Sequence, residues 1–284
     1  MSDYLLSLGV IVFVFGSCIG SFLNVCIYRI PENKSIVFPV SFCPSCKNAI
    51  PFYLNIPILS YIFLMGKCKF CNIKISIRYP LIEILTGIFA LLLFQKFGLT
   101  PAFFYWFVFI STLITISFID FDHQIIPDTI SLPGIIIFAS SFYFFPEEMI
   151  YTNTPEYINN ILPLTANENL YFAAFINTIL GILVGGGSLF TVIVFYYLLK
   201  KQEGMGGGDV KLLAMIGAAT GFNGVFFAIF TGSLSGTIVG VSIMIYTRSM
   251  DLKYKIPFGP FLSAGAILYI FYGEQLIRWY LGVL

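Results

Sequence analysis

The chain has 284 residues, of which 58% are hydrophobic and only 10% charged, with a mean hydropathy of +0.91. Globular domains carry about 25% charged residues, so there is too little polar surface here to cover a core of matching size, and lipid must cover it. The 15 basic and 14 acidic residues nearly cancel, which argues against a nucleic-acid partner, and a single histidine excludes sites that need two.

A bilayer core takes about 20 apolar residues as helix. That ruler places spans near 4–28, 81–97, 102–119, 129–145, 171–199, 210–222, 224–247 and 258–272, the sixth and the eighth being short. The expected fold class is an all-α polytopic membrane protein with eight transmembrane helices and a small cytoplasmic loop domain. Residues 1–28 form the first helix, 29–80 the loop domain and 81–284 a seven-helix membrane core. The first span has no small-residue cleavage site and reads as a retained helix. No internal repeat is evident.

Charge sets the expected orientation. Alternate loops group Arg29, Lys34, Lys47, Lys67, Lys69, Lys74 and Arg78 with Lys200, Lys201, Lys211, Arg248, Lys253 and Lys255, leaving only Lys96 and Arg278 on the other side. The basic side is cytoplasmic by the positive-inside rule. Both termini then lie outside, as does the acidic segment Pro146–Leu170 with Glu147, Glu148, Glu156 and Glu168. Within the cytoplasmic loop, Tyr53 to Met65 is apolar but too short to span. It is expected to pack on the loop or lie at the interface.

Four of the six cysteines form two pairs, Cys43-Pro-Ser-Cys46 and Cys68-Lys-Phe-Cys71, with 21 residues between them. Each turn can point two thiolates at one ion, and two turns complete a tetrahedral sulfur shell of the structural zinc type. Lys47, Lys67 and Lys69 would offset its negative charge. A loop of this size has too small a core to fold comfortably alone, so a metal has a physical role. Disulfides are disfavoured in the reducing cytosol, and a redox pair would sit beside a βαβ unit, which is absent. Cys18 and Cys26 read as small buried apolar residues of the first span.

Carboxylates at a membrane boundary are costly and raise functional hypotheses. Asp120, Asp122 and Asp128 cluster at the cytoplasmic end of the third span, and Asp209 follows Gly206, Gly207 and Gly208 where the sixth span begins. The glycines let the backbone approach a neighbour closely. A phosphate-cradling loop would need a strand before it, and Lys211 does not make a Walker loop. Two facing carboxylates suit an aspartic dyad, which titrates as a unit and activates water. Capping is the plainer alternative for each aspartate, most of all for Asp128 after Pro127.

Taken together, GSCIGSFLNVCIYRIP, CPSCKNAI, CKFC, RYPLIEILTG, IDFDHQIIPD, GMGGGDVKLLAMIGAATG and IPFGPFLSAGA resemble, in order, the motifs of bacterial type IV prepilin peptidases. The resemblance runs from Gly16 to Gly265 and implies a multi-pass inner-membrane enzyme with two activities. One cleaves the leader of type IV prepilins and pseudopilins at the cytoplasmic face. The other methylates the new N-terminal amine with S-adenosylmethionine. Carried over by motif, the catalytic pair falls on Asp120 and Asp209, and the zinc ligands on Cys43, Cys46, Cys68 and Cys71. Two departures stand out: Cys26 where a small aliphatic residue is usual, and Gly207 where an aromatic one often stands. No Rossmann glycine motif for S-adenosylmethionine is present, so methylation rests on the resemblance alone. Glu83, in RYPLIE, is a candidate for binding the substrate amine or for methyl transfer, with pairing to Arg78 as the plainer alternative. A proton-coupled transporter with a structural zinc module is the rival function, although its acids would sit near the bilayer midplane within repeated broken helices.

Overall fold

The computed structural model describes residues 2–146, 167–201, 206–247 and 257–283. Most of the acidic segment, Gly204, and the basic residues Arg248, Lys253 and Lys255 lie outside them. Regular structure among the described residues is helical apart from two isolated β-bridges. In chain order the helices are α1 (Ser2–Arg29), α2 (Leu59–Phe63), α3 (Arg78–Phe97), α4 (Pro101–His123), α5 (Asp128–Ala139), α6 (Ser141–Phe144), α7 (Asn167–Lys200), α8 (Gly207–Thr247) and α9 (Gly259–Val283). Five contain stretches long and apolar enough to cross a membrane, while Asp128–Phe144 and Gly259–Gly273 are shorter. Each of the eight expected spans coincides with helix, so the polytopic all-α class holds. The stretch from Tyr53 to Met65 contains only a 3₁₀ turn at Phe52–Leu54 and the five residues of α2.

The chain divides into two compact units, residues 1–115 and 116–284. In the first, α1 packs along α3, and the Asn24 amide donates to the Tyr79 carbonyl at 3.1 Å. Arg29 ends α1 and is buried. Its guanidinium donates to Ser35 O at 2.9 Å and to Pro39 O at 2.7 Å, folding the start of the loop back onto the helix end.

In the second unit α5, α7 and α9 pack against α8, which buries Leu212, Leu213, Met215 and Ile216 completely. The spans expected at 210–222 and 224–247 are two halves of α8, broken at Gly221 (φ 66°, ψ −168°). Only glycine takes that backbone without strain. In lipid every freed amide needs a partner inside the protein, and Asn177 Oδ1 of α7 accepts from Phe222 N at 3.2 Å. Next to this break Gly181 of α7 and Gly217 of α8 bring the two backbones together with no room for a methyl group on either. Small residues at such seams let membrane helices approach closely.

Candidate active site and metal centre

The cysteine cluster is made by two turns of identical hydrogen bonding. Cys43 N donates to Asn48 O at 3.0 Å and Cys68 N to Ile73 O at 2.9 Å; Lys47 N donates to Cys43 O and Asn72 N to Cys68 O, each at 2.9 Å. The residue after the second cysteine is left-handed in both, Lys47 at φ 59° and Asn72 at φ 58°. An isolated bridge closes each turn, Phe42 to Ala49 and Lys67 to Lys74. The structure thus repeats one turn geometry around two segments that share little in sequence beyond their cysteine pairs.

All six cysteines are free thiols. The sulfurs of Cys43, Cys46, Cys68 and Cys71 lie within 4.8 Å of one another, and those of Cys43 and Cys71 are 3.8 Å apart. A tetrahedral shell with metal–sulfur bonds of about 2.3 Å has edges of about 3.8 Å. Backbone N–H groups of Cys46 and Ser45 hold the Cys43 thiol down at about 6, ready as a thiolate at neutral pH. At Cys71 the Ile73 N–H acts in the same direction, but burial and the three neighbouring sulfurs outweigh it and push that thiol up to about 11. Four crowded sulfurs cannot all ionise without a cation among them. Position and charge therefore both fit a metal ion.

The aspartates are assembled from far-apart segments. Asp120 is in the last turn of α4 and is 5% exposed. Its Oδ2 accepts from Gly259 N, the first residue of α9, at 3.0 Å. A Cβ added at Gly259 would lie 2.7 Å from that oxygen, so a side chain there would displace the carboxylate. Asp209 is in the first turn of α8, and its N–H turns back to Gly206 O at 3.3 Å. Both carboxylates line one cleft of about 240 Å³ with Gln124, Ile125, Ile126, Asp128, Gly206 and Gly208, and Asp209 feels the charge of Asp120.

The glycines before Asp209 differ in what they do. A Cβ on Gly208 would lie 2.9 Å from Ile126 Cβ, whereas Gly207 has nothing within 4 Å. Close approach is a property of Gly208 alone, which presses the turn onto the segment after α4. Gly207 stands in open space, enough for the larger residue that the resemblance leads one to expect there.

Other expected residues fall out differently. Asp128 is not an N-cap: Pro127 occupies the cap position with no side-chain cap bond, and Asp128 is the first helical residue. Its Oδ1 accepts from Lys211 Nζ at 2.6 Å in an exposed ion pair linking α5 to α8. Asp122 is exposed at the end of α4. Glu83 is 7% exposed, and its Oε2 accepts from Ile58 N at 2.7 Å. Cys26 is buried as expected, but Cys18 is exposed and lines an open cleft beside α1. Gly259 escaped the sequence reading although its motif, IPFGPFL, was in view. The signal was a glycine between apolar residues at a helix start, which spacing alone does not tie to a residue 139 positions away.

Helices long and apolar enough to cross a membrane, with two carboxylates lining one cleft at helix ends, make a membrane protein whose groups are of the kind aspartic hydrolysis uses. Profiles of two domains match the chain: the bacterial peptidase A24 N-terminal domain over residues 14–97 and the type IV leader peptidase family over 107–241. The "Prepilin leader peptidase/N-methyltransferase" of Pseudomonas aeruginosa is 32% identical over 291 residues, covering 94% of this chain and 91% of the relative. A protein of the same name from Legionella pneumophila is 31% identical, covering 96% and 94%. Another, from Myxococcus xanthus, is 34% identical over 84% of this chain but over only 64% of its own length. No solved structure matches the chain. The chain belongs to the type IV leader peptidase family.

Proposed function

We propose that this chain cleaves the leader of type IV prepilins or pseudopilins with Asp120 and Asp209 and methylates the amine so exposed. Prepilin peptidase and N-methyltransferase activity is what membership of the family brings, and the transporter reading finds no support among the relatives. The observation that carries the assignment of residues is the shared cleft, to which two segments distant in sequence each bring a carboxylate.

In this reading a water molecule sits between the two carboxylates. The ionised member takes its proton while the protonated member polarises the scissile carbonyl. The tetrahedral intermediate then collapses as the leaving amine takes up a proton. Gly259 N–H fixes one oxygen of Asp120 and leaves the other for the water. A prepilin is a basic leader followed by an apolar helix, so its cut site lies at the cytoplasmic membrane surface. The excess of basic residues in alternate loops supports an orientation with the Asp120 and Asp209 helix ends at that surface, both termini outside and the protein in the inner membrane.

The cysteine cluster holds zinc, which ties residues 29–80 into a module between the first helix and the seven-helix core. Four sulfurs leave no open position, so the ion is structural. S-adenosylmethionine supplies the methyl group. Lys211 and Asp128 hold the α8 start beside the cleft. Incubation of the purified protein with a prepilin and S-adenosylmethionine, followed by intact mass measurement, tests the reading. Loss of the leader mass and gain of one methyl are expected, and an unaltered prepilin would sink it.

A further inference from the structure

The loop between α1 and α3 carries an apolar stretch that neither the aspartate cleft nor the cysteine turns use. No charged residue occurs between Lys47 and Lys67. The apolar side chains there do not pack on the loop: Phe63 is 79% and Met65 85% exposed, and Ile56, Leu59 and Ile62 are exposed as well. Exposed apolar patches of this kind mark a membrane or protein contact.

Depth along the helices decides between the two. A hydrocarbon core of about 30 Å takes about 20 residues, which is the whole of α3 from Arg78 to Phe97. Arg78 therefore marks the edge of the core, and Glu83 lies about 7 Å inside it by helix rise. The Glu83 carboxylate accepts from Ile58 N at 2.7 Å, so Ile58 shares that depth. Helix α1 agrees. A Cβ on Gly20 would lie 2.7 Å from Glu83 Cα, which makes the two residues level. Asn55 and Pro57 line one cleft with Cys18 and Ser21, and Ser21 is about 12 Å along α1 from Arg29.

The backbone is arranged for a dry place. At Ile58 (φ 61°, ψ −53°) the chain reverses through a γ-turn, in which Leu59 N donates to Pro57 O. Past this tip α2 leads back, and the amides of Ser60, Ile62, Leu64 and Gly66 close on carbonyls of the same stretch. Ile58 N, at the tip itself, finds its acceptor in Glu83. Such internal pairing is what lipid demands of a backbone.

We propose that residues 55–65 form a re-entrant segment seated in the headgroup side of one leaflet, with acyl chains covering Ile56, Leu59, Ile62, Phe63 and Met65. The leaflet is the one at the Arg29 and Arg78 helix ends, cytoplasmic in the orientation given above. The covered face continues the lipid side of α3, where Leu81 and Ile84 are exposed near the same depth. Lys67 and Lys69, just past the segment, meet the headgroups, which suits an anionic leaflet. The loop is thus anchored in its middle as well as at its two ends, and Glu83 is the tether.

The test uses the full-length protein in vesicles, with Trp106→Phe and Trp279→Phe removing its two native tryptophans. Phe63→Trp or Met65→Trp is the reporter, and Phe70→Trp, between Lys69 and Cys71 in the second cysteine turn, is the reference. In lipid brominated near the headgroup end of its acyl chains, either reporter should lose at least about half of its emission, that depth being where interfacial segments bury. Aqueous iodide should quench the reference and spare both reporters. Reporters that iodide quenches as it does the reference, and brominated lipid does not, would overturn the proposal. Protection from both quenchers would overturn it too, because protein would then cover the face.

Should the reporters fail to fold, the natural chain in vesicles holding a diazirine phospholipid replaces them. Photolysis should place lipid adducts on residues 59–65, and adducts confined to the long helices would overturn the proposal. Glu83→Gln keeps an oxygen for Ile58 N and should leave reporter quenching as it was. Glu83→Leu removes that acceptor and should raise iodide quenching toward the reference. Unchanged quenching in Glu83→Leu would strike Glu83 out as the tether.

Discussion

The cysteine cluster and the aspartate cleft reach the same end, a few reactive groups held close, by opposite constructions. Each cysteine pair sits in a turn that closes on itself, with its own bridge and its own left-handed residue. The two pairs bring their four sulfurs within 4.8 Å of one another, spaced to share one ion. The aspartates have no such local frame. Asp120 ends one membrane helix, Asp209 starts another, and Gly259 at the start of a third supplies the hydrogen bond. Helix packing alone sets their separation. The first construction depends on chemistry that can be added or removed, the second on close packing that cannot.

The contrast should be sharpest at the cysteines. Replacing Cys43, Cys46, Cys68 or Cys71 by alanine should abolish metal binding and unfold the loop, since structural zinc in small modules contributes on the order of 10–16 kcal/mol. Elemental analysis and limited proteolysis between Arg29 and Arg78 would record it. Fresh reduced protein without metal would remove the zinc. Cys18→Ala with Cys26→Ala should leave metal content unchanged.

Breaking the second construction should leave the fold standing. Asp120→Asn or Asp209→Asn should cut leader cleavage on the order of 10⁴-fold, with the double change hardly worse than either, because residues acting as a unit are non-additive. Wild-type cleavage in either variant, measured by intact mass, would take that residue out of the mechanism.

Gly259→Ala is the intermediate case. Its Cβ would meet Asp120 Oδ2 at 2.7 Å, and a shift of about 1 Å in a catalytic group costs about 10²-fold. Cleavage should fall by that factor while thermal unfolding changes little. Gly208→Ala should destabilise by about 1–3 kcal/mol through overpacking against Ile126, and Gly207→Ala, in open space, should be silent in both assays.

The smallest effect belongs to the exposed pair of Lys211 and Asp128, where Lys211→Met or Asp128→Asn should cost less than about 1 kcal/mol and less still in high salt. A large effect of Asp128→Asn on the cleavage rate alone would draw that residue into the reacting group.

How far each site could be read from the sequence follows from the same contrast. The cysteine spacing names its ligands because two residues between cysteines is a local quantity. The spans were legible because apolar length is local too, and even the break in α8 was anticipated as the gap between two segments. The aspartates could be named by motif, but nothing in the spacing tells that Gly259 donates to Asp120 or that Gly208, and not Gly207, makes the close approach. Those are facts of tertiary packing. Asp128 was misread for a related reason: Pro127 before a helix looks like a cap site, and the competing partner, Lys211, lies 83 residues away.

Variation along the seam between α7 and α8 will mislead anyone who maps function by sensitivity. Gly181 and Gly217 admit no methyl group, and a side chain on Gly221 would strike Asn177. None of the three lines the aspartate cleft. A survey of inactivating variants should nevertheless mark them as heavily as Asp120 and Asp209. Drawn from such a survey, the active site would be sketched partway down α8 as well as at its first turn. Only an assay that counts folded protein apart from product would separate variants that fail as joinery from those that fold and leave the prepilin uncut, the behaviour expected of the proposed pair.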